Sequence, residues 1–311
     1  MNIFKRVVVT GGAGFIGSHL TEELVERGFE VIVVDNLATG KIENINHLFN
    51  KDNFKFIKGS ITDLNLLREV FQGVHCVFHQ AALSSVPRSL NNPTATNEVN
   101  INGTLNVLIV AKDCGVPKVV YASSSSVYGD TQELPIREDM KPNPLSPYAV
   151  SKLTGEYYCK VFSNLYEIKS ISLRYFNVYG PRQDPNSEYA AVIPRFITRI
   201  LNHQPPIIYG DGNQTRDFTF IKDVVKANIL SMEAEAAVGT FNIASGERIG
   251  IRELADKIME IANLKLEPIY DEPQSGDVKD SLADISEAKA QLKYQPEFSL
   301  IDGLEETIKW Y

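Results

Sequence analysis

The chain has 311 residues, 43% of them hydrophobic and 23% charged, with a formal net charge of −8. This length can build a full core in two lobes, and the ordinary globular composition excludes intrinsic disorder. An acidic balance without any Lys/Arg tract excludes an extended nucleic-acid or membrane surface, although a few local cations would suffice to hold one phosphate group.

No apolar run approaches the roughly 20 residues of a membrane span. The N-terminus passes from Met1 directly into strand-like Arg6-Val7-Val8-Val9, with no signal peptide, so a reducing cytoplasm is the expected compartment. Cys76, Cys114 and Cys159 are far apart and odd in number. Cys76 lies in an apolar run and reads as core; none forms a zinc or redox pattern, and no metal site is expected.

In chain order, Arg6–Thr10 reads as strand, Gly14–Arg27 as helix and Val31–Val34 as strand. Phe54–Ile57, Cys76–His79 and Val119–Ala122 continue the strand series, with helices near Asp63–Phe71 and Asn97–Asp113 between them. Helix Pro147–Tyr166 and strand Ser170–Arg174 extend it. Such alternation predicts an α/β fold, a Rossmann-type doubly wound parallel sheet. From about Tyr179 the texture changes. Gly180-Pro181, Asp184-Pro185 and Pro205-Pro206 point to a smaller α/β substrate-binding lobe of loops and short helices. Phe241–Ala244 looks like one more strand rejoining the sheet, and the remainder reads as helical, ending around Leu300–Lys309. The expected division is 1–178 with about 217–246 for the sheet domain, and about 179–216 with 247–311 for the second lobe.

Gly11-Gly12-Ala13-Gly14-Phe15-Ile16-Gly17 directly follows a strand and opens a helix. Glycines there permit the tight turn and the approach of a pyrophosphate to the backbone, and the helix N-terminus favours its charge. Asp35 ends the next strand, close to the expected distance of roughly 20 residues. A carboxylate at that point accepts ribose hydroxyls and repels a 2′-phosphate, which favours NAD over NADP. His19 follows the loop without metal-like neighbours and reads as an ordinary helix residue.

Tyr148-Ala149-Val150-Ser151-Lys152 places a phenol and an ammonium four residues apart, on one helix face. The ammonium can draw the phenol's pKa down from about 10 toward the working range of a base. Ser123-Ser124-Ser125-Ser126, about one strand and one loop upstream, offers a hydroxyl to relay the proton. Taken alone, a Tyr and a Lys at this spacing are two exposed helix residues; the glycine loop and the serine run together make them a catalytic pair.

These residues resemble the extended short-chain dehydrogenase/reductase family, over essentially the whole chain. Its glycine motif corresponds to Gly11, Gly14 and Gly17, its Tyr/Lys pair to Tyr148 and Lys152, and its catalytic Ser/Thr to Ser124. Within the family the chain looks like the nucleotide-sugar 4-epimerases, on Gln80-Ala81-Ala82-Leu83, Arg174 to Gly180 and Gly210 to Phe218. The resemblance implies NAD contacts from Gly11, Gly14, Phe15, Ile16, Gly17, Asp35, Asn36 and Ile61, and from Ala81, Ala82, Ser123, Tyr148, Lys152 and Tyr175, the last near the nicotinamide. For a UDP-sugar it implies Ser84, Ser124, Ser125, Ser126 and Tyr148 around the sugar. Asn177 and Arg216 would contact the phosphates, Ala191-Val192 and Ile208-Tyr209 would flank the uridine, and Asp277 and Ser281 would lie in the segment that gates the sugar.

The resemblance also discriminates among sister activities. The 4,6-dehydratases place Asp-Glu where this chain has Ser125-Ser126, the glucuronate decarboxylases usually carry Glu at the position of Ser126, and the glucuronate 4-epimerases usually have Thr for Asn177. Plain C4 epimerisation survives all three comparisons. At the gate, glucose-only enzymes have Tyr where this chain has Ser281, so room for an N-acetyl arm is expected and UDP-N-acetylglucosamine is the favoured substrate. The alternatives are UDP-glucose epimerisation, a nucleotide-sugar oxidoreductase or dehydratase, and a non-enzymatic NAD-binding regulator. Two positions depart from the pattern. Ser60 replaces the Asp that often contacts adenine, with Asp63 as a substitute, and Gln274 replaces an Arg that often grips the pyrophosphate, with Arg88 as a compensating cation. Family members commonly form homodimers through two helices per subunit, which here match about Asn97–Asp113 and Pro147–Tyr166.

Overall fold

The computed structural model describes residues 5–185, 191–273 and 278–311. The first half contains β1 (Arg6–Thr10), α1 (Phe15–Glu26), β2 (Glu30–Asp35), β3 (Phe54–Lys58), α2 (Leu64–Val70) and β4 (Cys76–His79). There follow α3 (Val86–Asn91), α4 (Pro93–Asn97), α5 (Gly103–Asp113), β5 (Lys118–Ser124), α6 (Pro147–Tyr166) and β6 (Lys169–Tyr175). The second half contains β7 (Val178–Tyr179), α7 (Val192–Leu201), β8 (Ile207–Tyr209), β9 (Thr215–Arg216), β10 (Thr219–Phe220), α8 (Ile221–Glu233) and β11 (Gly239–Ile243). It closes with β12 (Ile249–Gly250), α9 (Ile251–Ile261), β13 (Ile269–Asp271) and α10 (Leu300–Trp310).

Seven strands form one sheet in the order β11-β6-β5-β4-β1-β2-β3, and every neighbouring pair is parallel. The doubly wound α/β architecture expected from the sequence is therefore present. Both faces are covered, which explains the unbroken apolar strands. Val7 and Val9 pack into the core on one side, Val8 into that on the other, and each is fully buried. Strand order reverses between β1 and β4, and the crevice at that switch point is where such sheets take a ligand.

Two segments differ from the sequence reading. The helix expected from Asn97 begins earlier, at Pro93, and is interrupted by a π-helical turn over Glu98–Asn102. Asn100 is the cause: its amide pairs with both Leu83 N and Leu83 O and reaches Ser151 Oγ, so tertiary partners widen the turn. The C-terminal part is also less helical than expected. β12 pairs with β9, β13 pairs with β8, and the chain near 280–283 forms bridges to Thr215 and Ile136. Among the described residues no helix is long and apolar enough to cross a membrane.

Helix α6 positions the chemistry. Ser146 caps it by accepting from Ala149 N at 3.1 Å, Pro147 starts it, and Glu167 ends it in the left-handed region. Its inner face buries Ala149, Lys152, Gly155, Glu156, Cys159 and Phe162 against the sheet.

Candidate active site

A cleft of about 350 Å³ opens at the switch point. Gly11, Gly14, Phe15, Ile16 and Gly17 line it with Asp35, Asn36, Ile61, Ala81 and Ala82. Ser123, Tyr148, Lys152 and Tyr175 line its far end, and Ser84 its rim. The cradle fits a dinucleotide. At Gly11, φ is +72° and a Cβ would come within 2.7 Å of the Ala81 backbone, while at Gly17 a Cβ would collide with the Gly11 carbonyl. Only glycine permits this close packing.

Asp35 is buried, and its carboxylate accepts from Ala13 N at 3.0 Å and Leu37 N at 2.8 Å. Burial pushes its pKa up while those two bonds draw it down. It thus fastens the glycine loop, and two backbone bonds leave acceptor capacity for ribose hydroxyls. The cleft lining also includes Gly59, Ser60 and Ile61, the stretch expected to meet the adenine. Asp63 is not among the residues that line the cleft; its Oδ1 caps α2, accepting from Asn65 N and Leu66 N.

At the other end, the Lys152 Nζ donates to Ala122 O at 2.7 Å, 5.8 Å from the centroid of the Tyr148 ring. Burial lowers the lysine to about 8, against the Coulombic pull of Glu156. The Tyr148 phenol is raised above its ordinary value by burial, with the Ser124 hydroxyl beside it drawing it down. The sequence reading had the ammonium lowering the phenol; here burial is the leading influence on it and the Ser124 hydrogen bond opposes that. Ser124 Oγ also accepts from Ser126 N, which starts the turn that carries Ser125 and Ser126 out of the strand. Ser126 Oγ is buried without a hydrogen-bond partner among the described residues. No Asp or Glu stands in the Ser124–Ser126 turn.

A second cavity, of about 270 Å³, lies beyond β6 and is lined by Asn177, Ala191, Val192, Tyr209 and Arg216. Arg216 is largely buried, and its Nη1 donates to Thr215 O and Lys279 O. Asn177 adopts a φ of 31° and commits its amide nitrogen to Asp217 O at 2.8 Å and Ser281 Oγ at 3.2 Å. Ile208 is corrected. It is fully buried in the core, because alternation along β8 turns Ile207 and Tyr209 to the cavity instead. Ser281 is buried, 7% exposed, between Asn177 and Asp217, whose backbone N donates to its Oγ. Asp277 and Gln274 lie outside the described residues. Arg88 is half-buried and lines neither cavity.

Sequence reasoning missed several contributors. Arg195 lines the second cavity with its guanidinium 4.9 Å from the Tyr209 ring; its place one turn after Ala191-Val192 was the available signal. Asn228, fully buried on α8, bonds Gln80 and the Tyr175 hydroxyl at the far end of the first cleft. Asp217 accepts from Ser245 N, Ser245 Oγ, Gly246 N and Ala283 N, tying two distant segments to its own beside Ser281.

The profile of the NAD dependent epimerase/dehydratase family matches residues 7–244. The chain belongs to that family. Among solved structures it is similar to the UDP-N-acetylglucosamine 4-epimerase of Methanobrevibacter ruminantium M1 in complex with UDP-N-acetylmuramic acid. They share 43% identity and a TM-score of 0.95 over 98% of this chain and 97% of that one. It is also similar to the UDP-glucose 4-epimerase of Thermus thermophilus in complex with NAD, at 36% identity and a TM-score of 0.88, covering 98% of both chains. The UDP-glucose 4-epimerase of Mycolicibacterium smegmatis is 38% identical over 310 residues, 98% of each chain. The resemblance drawn from the motifs is thus borne out, and NAD is the cofactor of this family member.

Proposed function

We propose that this enzyme is an isomerase that inverts C4 of a UDP-hexose, with UDP-N-acetylglucosamine and UDP-N-acetylgalactosamine as its preferred pair. The 4-epimerase reading is supported by Tyr148 and Lys152 lining one end of a dinucleotide cleft with the Ser124 hydroxyl beside the phenol, and no carboxylate at Ser125 or Ser126 to serve elimination or decarboxylation. The observation that carries the choice of sugar is Ser281. The hydroxymethyl group there, bonded to Asn177, is far smaller than the phenol that the resemblance places at this position in glucose-only enzymes.

Bound NAD+ supplies the hydride acceptor and a positive charge at the nicotinamide. Tyr148, ionised, takes the proton from the sugar 4-OH, and Ser124 hydrogen-bonds the same oxygen as it becomes a carbonyl. Lys152, held on the Ala122 carbonyl, supports the phenolate electrostatically. Arg216, Arg195 and Tyr209 retain the nucleotide while the 4-keto sugar turns its other face, and Tyr148 then returns the proton. Nucleotide binding energy thereby keeps the intermediate from escaping. The cycle is redox-neutral, so the protein should purify with NAD that does not exchange.

A second reading, UDP-glucose as the preferred sugar, is favoured by the relatives named for it. NMR of 4-epimer formation from each sugar offered separately decides between them. Faster conversion of UDP-N-acetylglucosamine is expected; faster conversion of UDP-glucose rejects the substrate assignment. Protein that carries no NAD and is not activated by adding it rejects the mechanism.

The same reading makes the enzyme a homodimer. Val150, Tyr157, Val161 and Leu165 form an exposed apolar stripe along α6, with Leu90 of α3 also exposed. A second copy of this face is its natural cover.

A further inference from the structure

Glu156 lies one turn beyond Lys152 on α6, so Tyr148, Lys152 and Glu156 follow one another at four-residue spacing along one stripe. Each meets a different one of three consecutive residues at the end of β5. The Tyr148 phenol has the Ser124 hydroxyl beside it, Lys152 Nζ donates to Ala122 O at 2.7 Å, and Ser123 Oγ donates to Glu156 Oε1 at 2.5 Å. From the adjacent strand Arg174, the register partner of Ser123, donates Nε to Oε1 at 2.9 Å and Nη2 to Oε2 at 2.7 Å.

Arg174 and Glu156 are 5% and 4% exposed, whereas the other ion pairs among the described residues are at the surface or half-buried. A buried pair is a poor source of stability, since a well-packed apolar pair would serve as well or better. This one is nevertheless held by two Arg174–Glu156 hydrogen bonds and a third from Ser123, one turn along α6 from Lys152, where it fixes direction rather than adding bulk.

Resting on the epimerase reading above, we propose that Glu156 is a positioning residue of the reaction. By clamping Ser123 and Arg174 it sets the register of α6 against β5 at which Ser124, Tyr148 and Lys152 converge, and its charge supports the ammonium of Lys152. Other groups around that ammonium cannot replace it. His79 of β4 is buried and neutral, lowered to about 3 by burial, Tyr121 of β5 is a phenol raised by burial, and Tyr148 of α6 carries a charge only as the reacting phenolate. Around Glu156 itself stand Arg174 of β6, Tyr128 of the turn after β5 and Cys159 of α6. Glu156 is a Coulombic partner that raises Lys152 against burial.

The test uses NAD-loaded Glu156→Gln and the double variant Glu156→Gln/Arg174→Met, which leaves no unpaired buried guanidinium. Both are expected to keep NAD and a KM within about threefold of wild type, to lose at least tenfold in kcat, and to shift the alkaline limb of kcat to lower pH. Glu156→Asp, which keeps the charge on a shorter arm, should restore the alkaline limb but not the full kcat. A folded variant with wild-type kcat and an unmoved limb overturns the proposal, as does an equal loss in Glu156→Asp and Glu156→Gln with no pH shift in either. If both charge-removing variants fail to fold, Ser123→Ala, which leaves the ion pair in place, decides: a several-fold drop in kcat at constant KM supports the clamp, and wild-type kcat rejects it. Failure of the epimerase reading is recognised separately, as wild-type protein that forms no 4-epimer.

Discussion

The Nδ2 of Asn177 donates to the Oγ of Ser281 at 3.2 Å, joining the chain just after β6 to the segment proposed to gate the sugar. Ser281 is buried, so a phenol at position 281 would have to displace that amide. Ser281→Tyr is therefore expected to cut kcat/KM for UDP-N-acetylglucosamine at least tenfold while sparing UDP-glucose, as followed by NMR. Equal effects on both sugars would remove Ser281 from the specificity argument.

Tyr148→Phe should lower kcat by roughly 10²- to 10⁴-fold, the usual contribution of a positioned base, with NAD still bound. In wild type, kcat should fall on the alkaline side as Lys152, lowered by burial to about 8, loses its proton and its support for the phenolate. Lys152→Met should remove that limb along with most of the activity. A pH-rate profile of the three proteins is the check.

Acid should weaken the fold through two histidines. His79 accepts at Nδ1 from Thr10 Oγ1, and its Nε2 is bonded by Thr104 Oγ1, whose own proton goes to Asn100 O; the neutral ring fills both positions. Burial lowers His79 to about 3 and His19, bonded to Pro181 O, to about 4. Both folded values lie below the unfolded value of about 6.5, so the unfolded chain binds more protons between them, and stability is lost as pH falls below about 6.5. At pH 5 each should cost about 2 kcal/mol relative to neutral pH. Urea midpoints at pH 7 and pH 5 should differ less in His19→Gln than in wild type.

Lys118 is buried at the start of β5, and its ammonium donates to Ser231 O, Met232 O and Ala234 O, closing the C-terminal turn of α8. Lys118→Met takes this donor from Ser231 O and Met232 O at the negative end of the helix, while Ala234 O keeps Ala237 N. It should cost about 2 kcal/mol in urea unfolding. Turnover at low temperature should be unchanged, because this end of the sheet is opposite the cleft.

The α6 stripe predicts the assembly. Val161→Glu/Leu165→Glu places two charges on a face that is apolar and exposed. Light scattering should give a dimer for wild type and a monomer for this variant. A monomeric wild type would reject the homodimer.

The central sheet was legible because each strand is an apolar run buried on both faces, and because the glycine loop sits between a strand and a helix. Boundaries at Cys76–His79 and Pro147–Tyr166 coincide with those read from sequence. Lining of the first cleft was legible for the same reason: those residues are local to strand ends. What stayed hidden depends on distant partners. The π turn at Glu98–Asn102 needs Leu83 and Ser151 to be seen. Ile208 was misplaced because three residues of β8 do not reveal which parity faces the core. Asp217 and Asn228 act through contacts tens of residues away, which no local pattern records.

The carboxylate of Asp35 has a consequence for anyone wishing to change the coenzyme. The carboxylate that would discourage an extra phosphate on the ribose also ties down Ala13, in the middle of the glycine loop. Coenzyme choice and loop shape therefore cannot be altered separately by one substitution. A successful switch to NADP would need a second change to re-anchor the loop, and drift along this lineage toward the other coenzyme would have to pass through a weakened intermediate.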